Sequence, residues 1–178
     1  MQLWLERTVA RWADRDLRWT QAIHSVARWP AVIFALVLAS RLANGVLWYT
    51  LMIVFPLTGG LTGTACAMQM AGVGVLNLTL YRYLKPRVCR PRPFVTCPGV
   101  WARTNPLDTY SFPSGHTLHA VSFSIVIAYH YSLAALLVGP FALVVAVSRL
   151  VLGLHYPSDV VVGAVMGAAT AALVLAVN

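Results

Sequence analysis

The feature that most constrains the fold is a succession of apolar runs almost free of charge, at about 30–44, 45–59, 61–81, 114–131, 133–152 and 157–177. A helix of about twenty apolar residues crosses the hydrocarbon core of a bilayer. In lipid the backbone must satisfy its own hydrogen bonds, which leaves helices or closed barrels. The chain is therefore expected to be an all-α, polytopic membrane helical bundle. The first two runs are short and Arg41 lies between them, so five transmembrane helices are expected, with 30–44 as the candidate for a sixth. Composition agrees: 10% of residues are charged and mean hydropathy is +0.72, where a soluble domain carries about 25% charged residues. Gly59-Gly60 and residues 129–132 are expected to turn tightly. Gly163 and Gly167 have the spacing that allows close helix contact.

Residues 1–28 read as an amphipathic helix lying in the headgroup plane. Leu5, Val9, Trp12, Trp19, Ile23 and Val26 recur on one stripe, which Asp16 interrupts, while Arg7, Arg11, Arg15 and Arg18 take another face. No secretory signal pattern precedes it, so the first membrane segment is expected to act as the targeting signal. The whole chain, 1–178, is expected to be one domain. Residues 82–113, rich in Arg, Pro and Thr, are its long polar loop, and loops of that length are usually functional.

The net charge of +8 would suggest nucleic acid in a soluble protein. Here the basic residues gather between Arg82 and Arg103, with Arg149 alone in an apolar region. That pattern fits an anion site and anionic headgroups, and no nucleic-acid partner is expected. The expected partners are a lipid phosphate and the bilayer. Cys66, Cys89 and Cys97 lack zinc-ligand spacing. Neither metal nor any other cofactor is expected.

Ionisable residues in or beside membrane segments are costly and point to function. The set is Lys85, Arg92, Ser114, His116, Arg149, His155 and Asp159. Phosphoryl transfer needs charge stabilisation on three equatorial oxygens and an in-line nucleophile. Arg92 and Arg149 offer planar forks and Lys85 a point charge. Pro113-Ser114-Gly115-His116 reads as a helix start, where free amides bind anions and Gly115 lets backbone approach a ligand. Asp159, one turn beyond His155, is placed to accept a ring N–H and leave the other nitrogen as nucleophile, with His116 as the acid. His24, His119 and His130 read as structural. Arg82, Arg87, Arg90 and Arg103 read as general headgroup attraction.

These residues fall into three ordered motifs: Lys-x6-Arg-Pro as KPRVCRPRP from Lys85, PSGH from Pro113, and Ser-Arg-x5-His-x3-Asp as SRLVLGLHYPSD from Ser148. In this the chain resembles the type 2 phosphatidic acid phosphatase family, in its bacterial membrane branch. The resemblance implies a helical bundle with the motifs gathered at one end and metal-independent hydrolysis through a phosphohistidine. It assigns Lys85, Arg92, Ser114, Gly115 and Arg149 to phosphate binding, and His155, His116 and Asp159 to catalysis. The expected substrates are undecaprenyl pyrophosphate first, then phosphatidylglycerophosphate or phosphatidate. A lipid phosphotransferase using the same phosphohistidine and a non-enzymatic lipid-binding or transport protein are the alternatives.

Topology is read by setting the motif cations aside. The N-terminal arginines are then cytoplasmic and, if 30–44 spans, three crossings carry the chain to an external loop at 82–113. With the resemblance, this places the protein in a bacterial inner membrane with its site facing the periplasm. Cys89 and Cys97, in that loop, could pair in such a compartment or remain free thiols.

Overall fold

The computed structural model describes residues 2–177, and of residues 2–10 the backbone alone. The helices are α1 (Gln2–His24), α2 (Pro30–Arg41), α3 (Leu47–Val88), the single turn α4 (Pro93–Thr96), α5 (Gly115–His130), α6 (Ala135–Val151) and α7 (Pro157–Ala176). The chain is all helix and loop over the described residues.

Glycines set the course of the first membrane segments. Gly60 has φ of +56°, a region where a side chain would be strained, and it splits α3 into limbs 47–59 and 61–88. The limbs fold back on each other so closely that a Cβ on Gly63 would stand 1.8 Å from the Phe55 carbonyl oxygen. Contacts with α5 give the directions. Gln69 meets His130, Asn77 meets Ser122 and Tyr81 meets His119, so the second limb runs antiparallel to α5. Trp48 packs on Phe123 and Phe55 stacks on Tyr131, so the first limb runs with α5. The expected turn at Gly59-Gly60 is present.

α2 continues into the first limb through a wide turn, Leu42–Val46, in which Gly45 has φ of +121°. Leu36 packs with Val151 and Leu152, Ser40 meets Arg149, and Trp48 packs on Phe141. These contacts descend α6 in order. Runs 30–44 and 45–59 are therefore two halves of one traverse of the bundle. With 61–88, α5, α6 and α7, the chain traverses it five times.

The core combines apolar packing with close backbone approach. Trp48, Met70, Val73, Phe123, Ile127 and Val145 are buried at its centre. Apolar contact gives helices little preference for each other over lipid, so small residues and buried polar pairs matter more. A Cβ on Gly163 would stand 2.7 Å from the Ser114 carbonyl oxygen, and one on Gly167 2.4 Å from that of Leu118. Asn77 links three helices, donating to Ser122 Oγ and accepting from Thr170 Oγ1.

α1 lies across the loop end of the bundle. Thr20, His24 and Ala27 are buried, and His24 bridges the Val151 carbonyl and the Trp101 amide. Trp12 and Trp19 are 64% and 63% exposed, and Arg11, Arg15 and Arg18 are exposed too. That suits a helix seated on the protein by one face and open to headgroups by the others. The side chains of Leu5, Arg7 and Val9 lie outside the described residues. Because α1 packs on the loop, the expectation that the N-terminal arginines and the loop lie on opposite sides is overturned.

One further expectation changes, and one left open is decided. The polar loop begins later than 82, because α3 continues to Val88 and ends where Cys89 adopts a left-handed conformation. Basic residues suit the last turn of a helix, where they meet the negative end of its dipole. Cys89 and Cys97 are free thiols: Cys89 is exposed with Sγ on the Pro86 carbonyl, and Cys97 is buried against Tyr156.

Candidate active site

Five segments converge at the loop end, and each motif has a local reason for its place. Ser114 is the N-cap of α5, and its amide donates to the Asp159 carbonyl at 3.1 Å, tying the second motif to the third. The amides of Leu154 and His155 both donate to the Arg149 carbonyl at 3.1 Å. That turn carries the chain from Arg149 to His155 and accounts for the five-residue spacing. Pro157 then opens α7, whose third residue, Asp159, accepts the Tyr156 amide at 2.9 Å in a capping box.

Lys85 points inward from the last turn of α3. Its Nζ donates to Asp108 Oδ1 and to the Tyr110 carbonyl, each at 2.8 Å. Arg92, at the N-cap of α4, is 2% exposed. It donates from Nε to the Asp108 carbonyl at 3.0 Å, from Nη2 to Asp108 Oδ1 at 2.8 Å and from Nη1 to the Leu154 carbonyl at 2.8 Å. Two buried cations thus share one carboxylate. Burial alone would raise the Asp108 carboxyl, but Lys85 and Arg92 outweigh it and hold it below the usual carboxylate range.

Arg149 is different. It is 3% exposed, Nη1 donates to Ser40 Oγ, Nε has no partner, and no carboxylate reaches it among the described residues. A buried cation without a counter-ion is expensive.

His155 sits among these cations at 1% exposure. Its Nε2 is 3.3 Å from Arg92 Nη1. An arginine N–H only donates, so Nε2 must offer its lone pair and the ring proton is assigned to Nδ1. Nδ1 is 3.6 Å from Asp159 Oδ2 and has no hydrogen-bond partner. The expected His155–Asp159 hydrogen bond is thus an approach just beyond bonding distance. Burial first, then Arg149, Arg92 and Lys85, push the His155 pKa well below 6.5, so the ring is neutral near pH 7. His116, in the first turn of α5, leaves its Nε2 buried and unpartnered.

The structure therefore brings together Lys85, Arg92, Ser114, Gly115, His116, Arg149, His155 and Asp159. It also places residues that the sequence reading left aside. Arg90, assigned to headgroup attraction, donates from Nη1 to Asp159 Oδ1 and Ser158 Oγ and from Nη2 to Asp16 Oδ2, each at 2.7 Å. Asp108 was passed over as a loop residue. The signal for both Asp16 and Asp108 was scarcity: the chain has five acids, and Asp16 breaks an apolar stripe. His24 and His119 bond to backbone and His130 to Gln69, as structural residues do.

Residues 63–178 match the PAP2 superfamily. Over 93 residues the chain is 37% identical to decaprenylphosphoryl-5-phosphoribose phosphatase of Mycobacterium tuberculosis, covering 51% of this chain and 49% of that protein. Over 71 residues it is 34% identical to phosphatidylglycerophosphatase B of Bacillus subtilis, covering 34% and 35%. The chain thus spans about half the length, or less, of these curated relatives. Its fold is similar to that of LpxE from Aquifex aeolicus, with TM-score 0.73, 24% identity and coverage of 89% and 93%. It is also similar to the transmembrane PAP2-type phosphatidylglycerolphosphate phosphatase from Bacillus subtilis, with TM-score 0.71, 22% identity and coverage of 92% and 84%. With the matched family covering well over half of the sequence and its motifs brought together in space, the chain belongs to the PAP2 superfamily.

Proposed function

We propose that this protein hydrolyses a membrane lipid phosphate through a phosphohistidine at His155. One observation carries the reading: three buried cations, Lys85, Arg92 and Arg149, act on a neutral His155 whose lone pair faces Arg92, and the one carboxylate among them, Asp108, pairs with Lys85 and Arg92 and leaves Arg149 without a counter-ion. Such a site is short of negative charge. A phosphoryl group entering it replaces Asp108 as acceptor for Lys85 and Arg92 and supplies the counter-ion that Arg149 lacks.

His155 Nε2 then attacks phosphorus, the bond from phosphorus to the lipid oxygen breaks, and His116 donates a proton to that oxygen. The positive charge that develops on the His155 ring is stabilised by Asp159 facing Nδ1; hydrogen bonds of this kind are often long before substrate binds. In the second step water gives a proton to His116 and attacks phosphorus. The nitrogen–phosphorus bond breaks and phosphate leaves. The three cations do the electrostatic work that a divalent metal does elsewhere, so the reaction is proposed to be metal-independent.

The substrate class rests on position. The site opens at the end of an apolar bundle, beside a helix that presents Trp12 and Trp19 outward. Polyprenyl and glycerolipid phosphates are proposed, with undecaprenyl pyrophosphate first and phosphatidylglycerophosphate and phosphatidate next. The name of the mycobacterial relative, a phosphatase of a decaprenyl-linked phosphate, supports the polyprenyl class.

The test is phosphate release in detergent from these three lipids with excess chelator present. Release from at least one of them, unchanged by chelator and inhibited by vanadate, is the expected result. No release from any, or release only with added Mg²⁺, would contradict the reading.

A further inference from the structure

We infer that Arg90 and Asp16 are positioning residues for the catalytic centre, and that α1 is a working part of it through Asp16. This rests on the His155 reading above and adds to it.

Asp159 is fully buried, and its charge needs a partner. Among the described residues its hydrogen-bonding cation is Arg90, which donates to Oδ1 at 2.7 Å. The other oxygen, Oδ2, accepts the Tyr156 amide and faces His155 Nδ1. Arg90 therefore occupies one side of the carboxylate and leaves the other turned to the histidine. If Arg90 were withdrawn, Asp159 would rotate or take up a proton, and the imidazolium formed on phosphorylation would lose its counter-charge.

Arg90 is itself held on three sides. Its guanidinium carbon stands 3.9 Å from the centre of the Tyr156 ring, Nη1 also reaches Ser158 Oγ, and Nη2 reaches Asp16 Oδ2. Asp16 comes from α1, far away in sequence. It accepts the Ser158 amide at 3.1 Å through Oδ1 and the Ser158 hydroxyl through Oδ2. One carboxylate thus joins α1 to the first turn of α7 and fixes the arginine that fixes Asp159. A guanidinium with two carboxylates and a ring face has one orientation; with Asp159 alone it would have several. A phosphate-binding role for Arg90 would require it to leave both Asp16 and the fully buried Asp159, whereas Lys85 and Arg92 exchange only the partly exposed Asp108.

The test uses the full chain in detergent with Asp16→Asn, Arg90→Gln and Arg90→Lys. Asp14→Asn serves as control, since Asp14 is exposed two residues away. Steady-state kinetics, burst-phase phosphoenzyme formation and thermal denaturation are measured for each. Asp16→Asn and Arg90→Gln are expected to lower kcat at least about tenfold, as loss of a partner that orients a site residue typically does, with KM changed less than about twofold. Arg90→Lys, which keeps charge but loses the fork, is expected to fall between. Combining Arg90→Gln with Asp159→Asn should cost little more than Asp159→Asn alone, whereas combining it with Lys85→Ala should multiply. A rise in KM with kcat intact would return Arg90 to headgroup binding and overturn the inference. So would multiplicative loss with Asp159→Asn. If a variant melts lower, phosphoenzyme formation in its folded fraction decides between a folding role and a positioning role. His155→Ala in the same series separates the two claims: turnover surviving that change sinks the nucleophile assignment, whatever Arg90 does.

Discussion

Arg149 presents a conflict between stability and activity. Among the described residues it is a buried cation with one hydroxyl partner and no acid, so the free protein carries a desolvation cost that an anionic ligand would offset. Arg149→Met should therefore lower kcat/KM by at least about a hundredfold, the scale of losing a main transition-state donor, while thermal stability stays level or rises. A parallel loss of stability would mean that Arg149 holds the fold. His155 gives a second prediction, in pH. Its folded pKa lies below the unfolded value of about 6.5, so its neutral form contributes stability that is complete above that pH. As pH falls below about 6.5 the unfolded chain takes up a proton that folded His155 refuses, and stability declines toward the lower folded pKa. Asp108, also depressed, keeps its contribution until well below that window. Melting of His155→Gln compared with wild type between pH 7.5 and 5.5 should show a shallower decline, by up to about 1.4 kcal/mol per pH unit. Equal slopes would show that His155 titrates alike in both states. At this scale the ionisable motif residues that the fold gathers at one end stood out because charge in an apolar chain is conspicuous. Asp16, Arg90 and Asp108 did not, because their roles depend on pairings between residues up to 142 positions apart, which local spacing does not carry.

The helices themselves were legible from apolar run length, and their joints less so. The second limb of α3 was expected to stop at 81, where polarity begins. It runs on to Val88 because Lys85 turns inward to Asp108 and the remaining basic residues suit a helix end. Runs 30–44 and 45–59 looked like two spans, one doubtful. They make one traverse because Gly45 supplies a joint rather than a reversal, a distinction that depends on dihedrals and not on composition. The spacing of Gly163 and Gly167 did announce close packing, and α7 lies against α5 there. Gly167→Val should push the two helices apart at Leu118 and destabilise the bundle by about 1–3 kcal/mol, the usual cost of overpacking. The effect would also shift Ser114 and Asp159, whose backbones bond across the same interface, so activity should fall with it. A Gly167→Val protein with unchanged melting and turnover would show that the contact is looser than drawn.

For the whole molecule the distribution of charge bears on topology. α1, the 82–113 loop and the turn at His155 lie at one end of the bundle. The other end holds the turns near Gly60 and Ser132, and residues 42–81 and 104–148 contain no Lys or Arg. Setting aside the site residues, Arg11, Arg15, Arg18, Arg28, Arg82, Arg87 and Arg103 remain at the loop end. Because α1 and the loop lie on the same side, the N-terminal arginines no longer support an external loop, and the positive-inside rule alone would turn the loop end to the cytoplasm. The resemblance carried by the three motifs favours the other face, and we propose that the loop end faces the periplasm. Cys89 is exposed there while Cys66 and Cys97 are buried, so it is the reporter. A membrane-impermeant maleimide should label Cys89 in intact spheroplasts. Labelling only in inverted membrane vesicles would place the loop end in the cytoplasm.

The central claim is that the assembled site passes phosphate through His155. It is tested most directly by quenching the enzyme during turnover of a labelled lipid phosphate and locating the label. An acid-labile, base-stable phosphoenzyme on His155 is predicted in the wild-type protein, forming more slowly in His116→Ala and absent from His155→Ala. A phosphoenzyme that persists in His155→Ala, or turnover by that variant at a rate near wild type, would contradict it.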